Sequence, residues 1–268
     1  MSDSISKKRA AMPAGTNSVL DTRTITKSNA NLIQVLKPGQ TVLDVGCGSG
    51  AITHGITGYV GAEGLVIGVD RSENLINQAK TQFAAIENLS FYCADILDFS
   101  TNLHFDVITT ARTLQWIANP QVVVASMKSL LKPNGILCVL DYDHTAINWE
   151  PEPPASMQHF YQAFLQWRAD AGMDNQIGQH VGAMMEENGL QLTEQHDQSE
   201  YLQKEEEGFA THIDIWAVVA ETRGKQMVDD SYITEEERLL ALTEYRQWSV
   251  SDARSMKLVL KAVHAMNK

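Results

Sequence analysis

The chain has 268 residues, of which 44% are apolar and 20% are charged, and its formal net charge is −12. A chain of this length can bury the core of one large domain, with or without a cap. The negative charge disfavours nucleic acids and anionic membrane surfaces as main partners, because both are bound through clusters of Lys and Arg.

The three cysteines, Cys47, Cys93 and Cys138, are odd in number and widely spaced, and they form no CxxC pair. We therefore expect neither a disulfide framework nor a metal site. Cys93 and Cys138 lie in apolar runs and are predicted to be small core residues. The first dozen residues lack the apolar core of a secretory signal and are expected to be mobile. No apolar stretch approaches the roughly 20 residues of a membrane span, so a cytoplasmic protein without a membrane partner is the expectation.

Short apolar runs alternate with segments of helical periodicity through the first half of the chain. The runs are typical of buried strands, and the segments between them place apolar residues on one helical face. The five predicted strands cover residues 41–45, 64–70, 89–95, 105–110 and 136–141. One of the helices between them is capped by Ser72, and another begins at Asn119 and Pro120. This alternation predicts a parallel sheet with helices on both faces.

The pattern changes after Tyr142. Prolines at positions 151, 153 and 154 precede a helix that carries Phe160, Phe164 and Trp167. A further helix ends near Asn188, and a strand is predicted from about residue 190 to residue 201.

The C-terminal part of the chain is predicted to be helical until its last dozen residues. The acidic residues are densest between Glu200 and Glu237 and are expected on a solvated helical face. Thr234 and Glu237 have the spacing of a capping box. The segment MKLVLKAVHAM, residues 256–266, fits a helix or an extended strand. We interpret it as a returning strand that closes the far edge of the sheet, with Leu258, Leu260 and Ala262 on one face.

The segment VLDVGCGSG, residues 42–50, places Gly46, Gly48 and Gly50 directly after the first strand. Glycine tolerates positive φ and lets a ligand approach the backbone, and the following helix offers unpaired N–H groups at its start. With Ala51 the turn also satisfies the dinucleotide fingerprint in its formal sense. Two interpretations follow: a sterically tight turn without a ligand, or a turn that cradles a nucleoside-bearing ligand.

Asp44, at the end of the first strand, bears on the identity of such a ligand. A carboxylate there would repel the pyrophosphate of a dinucleotide and attract a cation. S-Adenosylmethionine carries a sulfonium and an ammonium group and no phosphate. On these residues the chain resembles the class I S-adenosylmethionine-dependent methyltransferases of small-molecule type, whose first motif, D-x-G-x-G-x-G, is similar to residues 44–50.

The resemblance implies an α/β fold, with a doubly wound, seven-stranded, mostly parallel Rossmann-like sheet and a helical cap. It also implies that Asp70 binds the ribose and that Asp95 binds the adenine amine, although Asp95 as a helix cap is an alternative. Arg23 corresponds to an arginine that approaches the methionine carboxylate, with a solvent-exposed arginine as the alternative. The predicted cofactor-binding residues are Arg23, Asp44, Gly46, Cys47, Gly48, Gly50, Asp70, Arg71, Ala94, Asp95, Ile96, Ala111 and Arg112.

The chain is predicted to form a single methyltransferase domain. The expected core comprises residues 36–142, 176–203 and 254–266, and the expected cap comprises residues 1–35, 143–175 and 204–253. The cap is rich in aromatic residues, and we expect it to close a largely apolar chamber for a small organic molecule over the strand ends.

The residues expected to contact the substrate follow the fourth and fifth strands. Gln115 stands where the family often has a histidine, so a histidine base is not assumed at that position. Tyr142 and His144 are the candidate catalytic residues, with a packing role as the alternative for His144. The predicted substrate-binding residues are Gln115, Trp116, Tyr142, His144 and Trp149.

Two other functions remain open at this point. An NAD-dependent oxidoreductase would explain the glycines and Asp70, but it would explain neither Asp44 nor Asp95. A non-catalytic protein of the same fold could retain the cofactor pocket, because methyltransferases need no diagnostic catalytic residue.

Overall fold

The computed structural model describes residues 2–11 and 23–268. Residues 12–22 of the predicted cap lie outside the described residues. The strands are β1 (Thr41–Val45), β2 (Leu65–Asp70), β3 (Leu89–Cys93), β4 (Phe105–Ala111), β5 (Leu131–Glu150), β6 (Gln191–Asp197), β7 (Glu200–Gln203) and β8 (Ser255–Met266). The helices are α1 (Ser2–Ala10), α2 (Ile25–Ser28), α3 (Ala30–Ile33), α4 (Thr53–Val60), α5 (Glu73–Gln82), α6 (Pro120–Ser129), α7 (Ala155–Ala169), α8 (Ile177–Glu187), α9 (Phe209–Ile213), α10 (Ile215–Asp229) and α11 (Glu235–Ser251). A 3₁₀ turn spans Leu114–Trp116.

The strands form one sheet in the order β3-β2-β1-β4-β5-β8-β6, and β7 also pairs with β8. Strands β1 to β5 run parallel to one another, whereas β8 is antiparallel to β5, β6 and β7. The predicted doubly wound, mostly parallel sheet is confirmed, with eight described strands instead of seven. The additional strand arises because the segment predicted as one strand over residues 190–201 is divided at Gln198 and Ser199 into β6 and β7.

The final strand does not close the edge of the sheet, as the sequence had suggested. β8 lies between β5 and β6. Leu258, Leu260 and Ala262 are buried in it, whereas most side chains of β6 are polar and exposed. Polar side chains suit an edge strand because they discourage pairing with other chains, and this explains why the edge position belongs to β6.

β5 is 20 residues long and extends beyond the predicted strand at both ends. At its start Leu131 pairs with Phe105 and Ile136 with Val107, so residues 132–135 of the predicted turn form an irregularity within the strand. At its end residues 148–150 pair with the first residues of β8. β5 therefore continues out of the core sheet and into the cap.

Side chains on successive strand residues divide between two apolar layers. Val42 and Val66 pack on one face with α4 and α5, and Leu43 and Ile67 pack on the other face with α6 and α8. A third cluster, which we call the cap core, joins apolar side chains of α7, α9, α10 and α11 to β8. The predicted helical cap is confirmed. None of the described helices is long and apolar enough to cross a membrane.

Two predictions about the periphery are wrong. Residues 2–10 form helix α1 instead of a mobile tail. The Arg9 side chain docks this helix: its Nε donates to Asp230 Oδ2 at 3.0 Å, and its guanidinium lies 5.0 Å from the centre of the Trp167 ring. Cys138 is buried as expected, but Cys93 is exposed, because it ends the edge strand β3.

Candidate functional site

A cavity of about 660 Å³ lies at the carboxyl ends of the parallel strands, beneath the cap. Parallel α/β sheets bind their ligands at this edge. The cavity extends from the glycine turn after β1 to Phe164 on α7 and Trp216 on α10. The predicted site residues on its wall are Arg23, Gly46, Gly48, Asp70, Arg71, Ala94, Asp95, Ile96, Ala111, Arg112, Gln115, Trp116, Tyr142 and His144.

The glycine turn is constrained both by its own packing and by the cavity. Gly46 has φ +75°, and a Cβ atom added there would lie 2.2 Å from Thr113 Oγ1; one added at Gly50, with φ +78°, would lie 2.6 Å from the Phe91 ring. Close packing therefore requires these two glycines even without a ligand. Gly46 and Gly48 also line the cavity, which leaves bare backbone on its wall.

Asp44, Cys47 and Gly50 do not lie on the cavity wall. The Asp44 carboxylate is buried behind the turn and accepts a hydrogen bond from Thr53 Oγ1 at 2.6 Å. Burial raises the pKa of Asp44 to about 6, because the hydrogen bond from Thr53 only partly offsets the loss of hydration. In this geometry Asp44 connects the end of β1 to the first residue of α4.

Asp70 and Asp95 both lie on the cavity wall and bind neighbouring backbone. Asp70 accepts the N–H groups of Gly48 at 2.9 Å and Ser72 at 2.8 Å, one on each carboxylate oxygen. Asp95 accepts the N–H of Leu97 at 3.1 Å. Each carboxylate oxygen has two lone pairs, so both side chains retain acceptor capacity for a ligand.

Asp95 also forms an ion pair with Lys7 of α1, with 3.2 Å between Nζ and Oδ2. Lys7 itself lines the cavity. Helix α1 therefore reaches across from Asp230 of the cap to the predicted adenine-binding carboxylate of the core.

Arg23 and Arg112 place two guanidinium groups on the cavity wall. Arg112 is buried and donates to Ser28 O at 2.8 Å, to Tyr142 Oη at 3.2 Å and to Glu200 Oε1. Burial opposes its charge, but Tyr142 and Glu200 outweigh that effect and raise the pKa of Arg112. Burial, together with the nearby Arg112 cation, lowers the pKa of Arg23.

His144 lies on the cavity wall within a group of aromatic rings. Its ring stacks on Tyr142 with centroids 4.9 Å apart and meets Phe164 and Trp216 edge-on at 6.0 Å and 6.4 Å. Burial, with a further contribution from the Arg168 cation, lowers the pKa of His144 well below its ordinary value. The imidazole is therefore neutral at pH 7.

Gln115 connects His144 to the 3₁₀ turn and to α7. Its side-chain oxygen lies 2.7 Å from His144 Nε2 and accepts from Arg168 Nη1 at 3.3 Å, while its side-chain nitrogen donates to Arg112 O at 3.0 Å. Arg168 is completely buried, and its remaining donors reach Gln115 O and Asn175 Oδ1 at 2.8 Å each.

The structure places Trp149 in the cap core, away from the cavity wall. Its ring meets Tyr161 edge-on at 5.1 Å, and its Nε1 donates to Tyr245 Oη at 3.3 Å. Sequence reasoning did not identify Arg168 or Glu200. Glu200 stood at the start of the acidic segment expected on a solvated helical face and near the end of the strand predicted over residues 190–201. It lies in β7 and pairs with the buried Arg112.

Comparison with known proteins agrees with this geometry. The methyltransferase domain family matches residues 36–207, which is more than half of the chain. The chain belongs to this family. The match includes the glycine turn and the ends of all five parallel strands, together with β6 and β7.

Individual relatives of this methyltransferase domain match over shorter regions. The ubiquinone biosynthesis O-methyltransferase of Coxiella burnetii is 36% identical over 106 residues, which cover 39% of this chain and 44% of the relative. The chain spans about half the length of the curated relatives that it matches.

Solved structures share the fold over nearly the whole chain. A SAM-dependent methyltransferase from Aquifex aeolicus superposes with a TM-score of 0.52 at 16% identity and covers 100% of this chain and 99% of its own. The phosphoethanolamine N-methyltransferase 2 of Haemonchus contortus, solved with S-adenosylhomocysteine, gives a TM-score of 0.54 at 15% identity, covering 95% of this chain and 53% of its own. At such identities the likeness concerns the fold.

Proposed function

We propose that the protein binds S-adenosylmethionine and transfers its methyl group to a small organic molecule. The observation that carries this proposal is one continuous cavity that joins the glycine turn, Asp70 and Asp95 to the aromatic underside of the cap. A cofactor and an acceptor bound in one cavity meet without crossing solvent, as methyl transfer requires.

The groups on the core side of the cavity fit this cofactor. Bare backbone at Gly46 and Gly48 allows close approach. In the proposal Asp70 binds the ribose hydroxyls and Asp95 the adenine amine, with Ile96 against the ring. Arg23 and Arg112 would hold the carboxylate of the methionine part. Arg71, Ala94 and Ala111 complete this part of the wall. Asp44, Cys47 and Gly50 would support the turn from behind.

When bound, the cofactor supplies a methyl group on a good leaving group, so displacement at carbon needs little further activation. The protein's task is to align the acceptor with that methyl group and to exclude water. The cap side of the cavity is suited to excluding water, because Phe164 and Trp216 cover the strand ends. Further apolar side chains on this wall are Ile215, Val219 and Leu258.

A small acceptor is favoured over a macromolecule. The acceptor side of the cavity lies under α7 and α10, and sites that bind small organic molecules are typically concave and apolar with a few polar groups. Gln115, Trp116, Tyr142 and His144 are the proposed acceptor contacts. The relative from C. burnetii is named for an O-methylation in ubiquinone biosynthesis, which is consistent with a small acceptor here.

We also propose the division of the chain into a core and a cap at the boundaries predicted above, within one domain. The cytoplasm is the proposed location, as the low use of cysteine suggests. The net charge of −12 supports a proposal without nucleic acid.

Isothermal titration calorimetry tests the cofactor directly. We expect S-adenosylmethionine and S-adenosylhomocysteine to bind and NAD not to bind. Binding of NAD, with no heat from either adenosyl compound at millimolar concentration, would overturn the proposal in favour of an oxidoreductase.

The non-catalytic alternative requires a second measurement. A panel of phenols, amines and thiols is incubated with the protein and S-adenosylmethionine, and S-adenosylhomocysteine is measured by mass spectrometry. Product above the protein-free control supports an enzyme. Tight cofactor binding without product from any member of the panel favours a binding protein.

A further inference from the structure

The amide of Gln115 has a single orientation that satisfies its neighbours. Arg112 O can only accept a hydrogen bond, so the side-chain atom 3.0 Å from it must be the NH₂ group. A guanidinium can only donate, so the atom 3.3 Å from Arg168 Nη1 must be the carbonyl oxygen. Two unambiguous partners therefore fix the amide.

This orientation determines the tautomer of His144. His144 Nε2 lies 2.7 Å from the Gln115 carbonyl oxygen, which has no hydrogen to donate. Nε2 must therefore carry the ring hydrogen, and in the neutral imidazole Nδ1 is then the acceptor.

The acceptor nitrogen is left open to the cavity. Nδ1 makes no hydrogen bond within the described part of the chain. It is also not completely buried by those residues. Because the His144 ring lines the cavity wall, a polar atom of a bound molecule can reach Nδ1.

Resting on the proposed function, we propose that His144 Nδ1 accepts the proton of a hydroxyl-bearing methyl acceptor and that Gln115 is the positioning residue that keeps Nδ1 free to do so. In this step the O–H proton passes to Nδ1 and gives an imidazolium. The acceptor oxygen forms the bond to the methyl carbon, and the electron pair of the broken carbon–sulfur bond stays on sulfur. The imidazolium then loses its proton to solvent.

The surroundings favour an acidic hydroxyl, such as a phenol. Burial and the Arg168 cation lower the pKa of His144, so the ring is a weak base and suits a proton that leaves easily. The rings of Tyr142, Phe164 and Trp216 around His144 provide faces and edges on which an aromatic acceptor can pack.

Nitrogen-15 NMR of the full-length protein labelled at histidine tests the tautomer without any methyl transfer. The His144→Gln variant assigns the resonances. We expect His144 to show a protonated Nε2 and an unprotonated Nδ1 at pH 7. A protonated Nδ1 would overturn the proposal, whether or not S-adenosylmethionine binds.

Phenol and anisole form a matched pair of probes for Nδ1. They share one ring, but only phenol can donate a hydrogen bond. We expect saturating phenol to shift the Nδ1 resonance and anisole to leave it near its free position. Equal shifts from both compounds, or none from bound phenol, would contradict a proton-accepting role.

Variants at Gln115 test its positioning role. Gln115→Leu removes the acceptor for Nε2–H, and we expect a mixture of tautomers. Gln115→Glu keeps an acceptor oxygen and should restore the Nε2–H tautomer. Gln179→Leu is the control, because Gln179 donates to Asp143 Oδ2 at 3.1 Å, whereas the hydrogen bond of His144 Nε2 is to Gln115. An unchanged tautomer in Gln115→Leu would overturn the role of Gln115.

For any phenol that proves to be methylated, His144→Gln should lower kcat about a hundredfold or more, while the Kd of S-adenosylmethionine stays unchanged. An unchanged kcat in this variant would overturn the role of His144 as the base. If the wild-type protein does not bind S-adenosylmethionine, that result counts against the proposed function. The tautomer of His144 is then decided by the NMR measurement alone.

Discussion

At the scale of single residues, Asp70 is the side chain whose removal should affect cofactor binding most directly. Its carboxylate faces the cavity and also holds the N–H groups of Gly48 and Ser72. We expect Asp70→Ala to raise the Kd for S-adenosylmethionine about tenfold to a hundredfold, since hydrogen bonds to charged groups contribute roughly 1.5–3 kcal/mol. Calorimetry measures this change. Asp98→Ala, which removes an exposed carboxylate off the cavity wall, is the control, and an unchanged Kd in Asp70→Ala would place the ribose elsewhere.

Asp44 should make stability depend on pH. Burial raises its pKa to about 6, whereas an aspartate in the unfolded chain has a pKa of about 3.9. Between these values the folded state binds more protons than the unfolded state, so protonation stabilises the fold as the pH falls from 7 to 5. We expect Asp44→Asn to reduce this gain in the free energy of unfolding by roughly 1 kcal/mol.

Urea titrations of both proteins at pH 7 and pH 5 measure that difference. Asp98→Asn is the control, because its carboxylate is exposed. Identical pH dependence in Asp44→Asn and in the wild type would mean that the Asp44 carboxyl keeps its ordinary pKa in the fold.

Most of the residues predicted for the site line the cavity wall, because they follow strands whose apolar runs are easy to recognise. Asp70 and Tyr142 were found in this way. Trp149 follows the same strand as Tyr142, but β5 continues past the cavity and carries Trp149 into the cap core. Arg168 was missed because a buried arginine depends on partners that are distant in the chain, such as Gln115.

At the scale of elements, the glycines on either side of β1 allow backbone strain and side-chain packing to be compared: Gly39 lies in the turn before β1 and Gly46 in the turn after it. Gly39 and Gly46 have φ of +81° and +75°, but an added Cβ meets nothing within 4 Å at Gly39, whereas it would lie 2.2 Å from Thr113 at Gly46. Gly39→Ala should lower the free energy of unfolding only by the strain of positive φ, about 1–2 kcal/mol. Gly46→Ala should cost a further 1–3 kcal/mol or so from overpacking.

Chemical denaturation of the two variants provides the comparison. Equal losses in Gly39→Ala and Gly46→Ala would show that Thr113 moves aside and that conformation alone requires the glycine. The variant Thr113→Ala in the Gly46→Ala background should recover part of the loss if the clash is real.

Helix starts and buried strands were predictable at this scale because their signals are local. Ser72 caps α5, Pro120 begins α6, and Thr234 and Glu237 form the predicted capping box of α11. The position of β8 was not predictable, because an apolar strand pattern does not show which neighbours a strand will have. The docking of α1 was likewise hidden, since it depends on Arg9 and on partners more than 150 residues away.

At the scale of the whole molecule, the core and the cap should unfold together. β5 runs from Ile136 in the core to Glu150 in the cap, and the core strand β8 pairs with it at both ends, through Met266 and Ser255. Neither part can therefore lose its strand pairing without exposing the other. We expect one cooperative urea transition.

The tryptophans make this test simple, because four of the five lie in the cap: Trp149, Trp167, Trp216 and Trp248. Their fluorescence reports on the cap, and far-UV circular dichroism reports on the whole chain. The two curves should coincide. A fluorescence midpoint at a clearly lower urea concentration would show that the cap melts on its own.

The inner position of β8 also has a consequence for synthesis on the ribosome. β5, β6 and β7 all pair with this strand, yet residues 255–266 emerge after all of them. Until then the nascent chain exposes the long, partly apolar edge of β5, the kind of edge that pairs with other chains. Slow release of residues 255–266 from the ribosome, or a stop codon just before residue 255, should therefore send the product to chaperones or into aggregates.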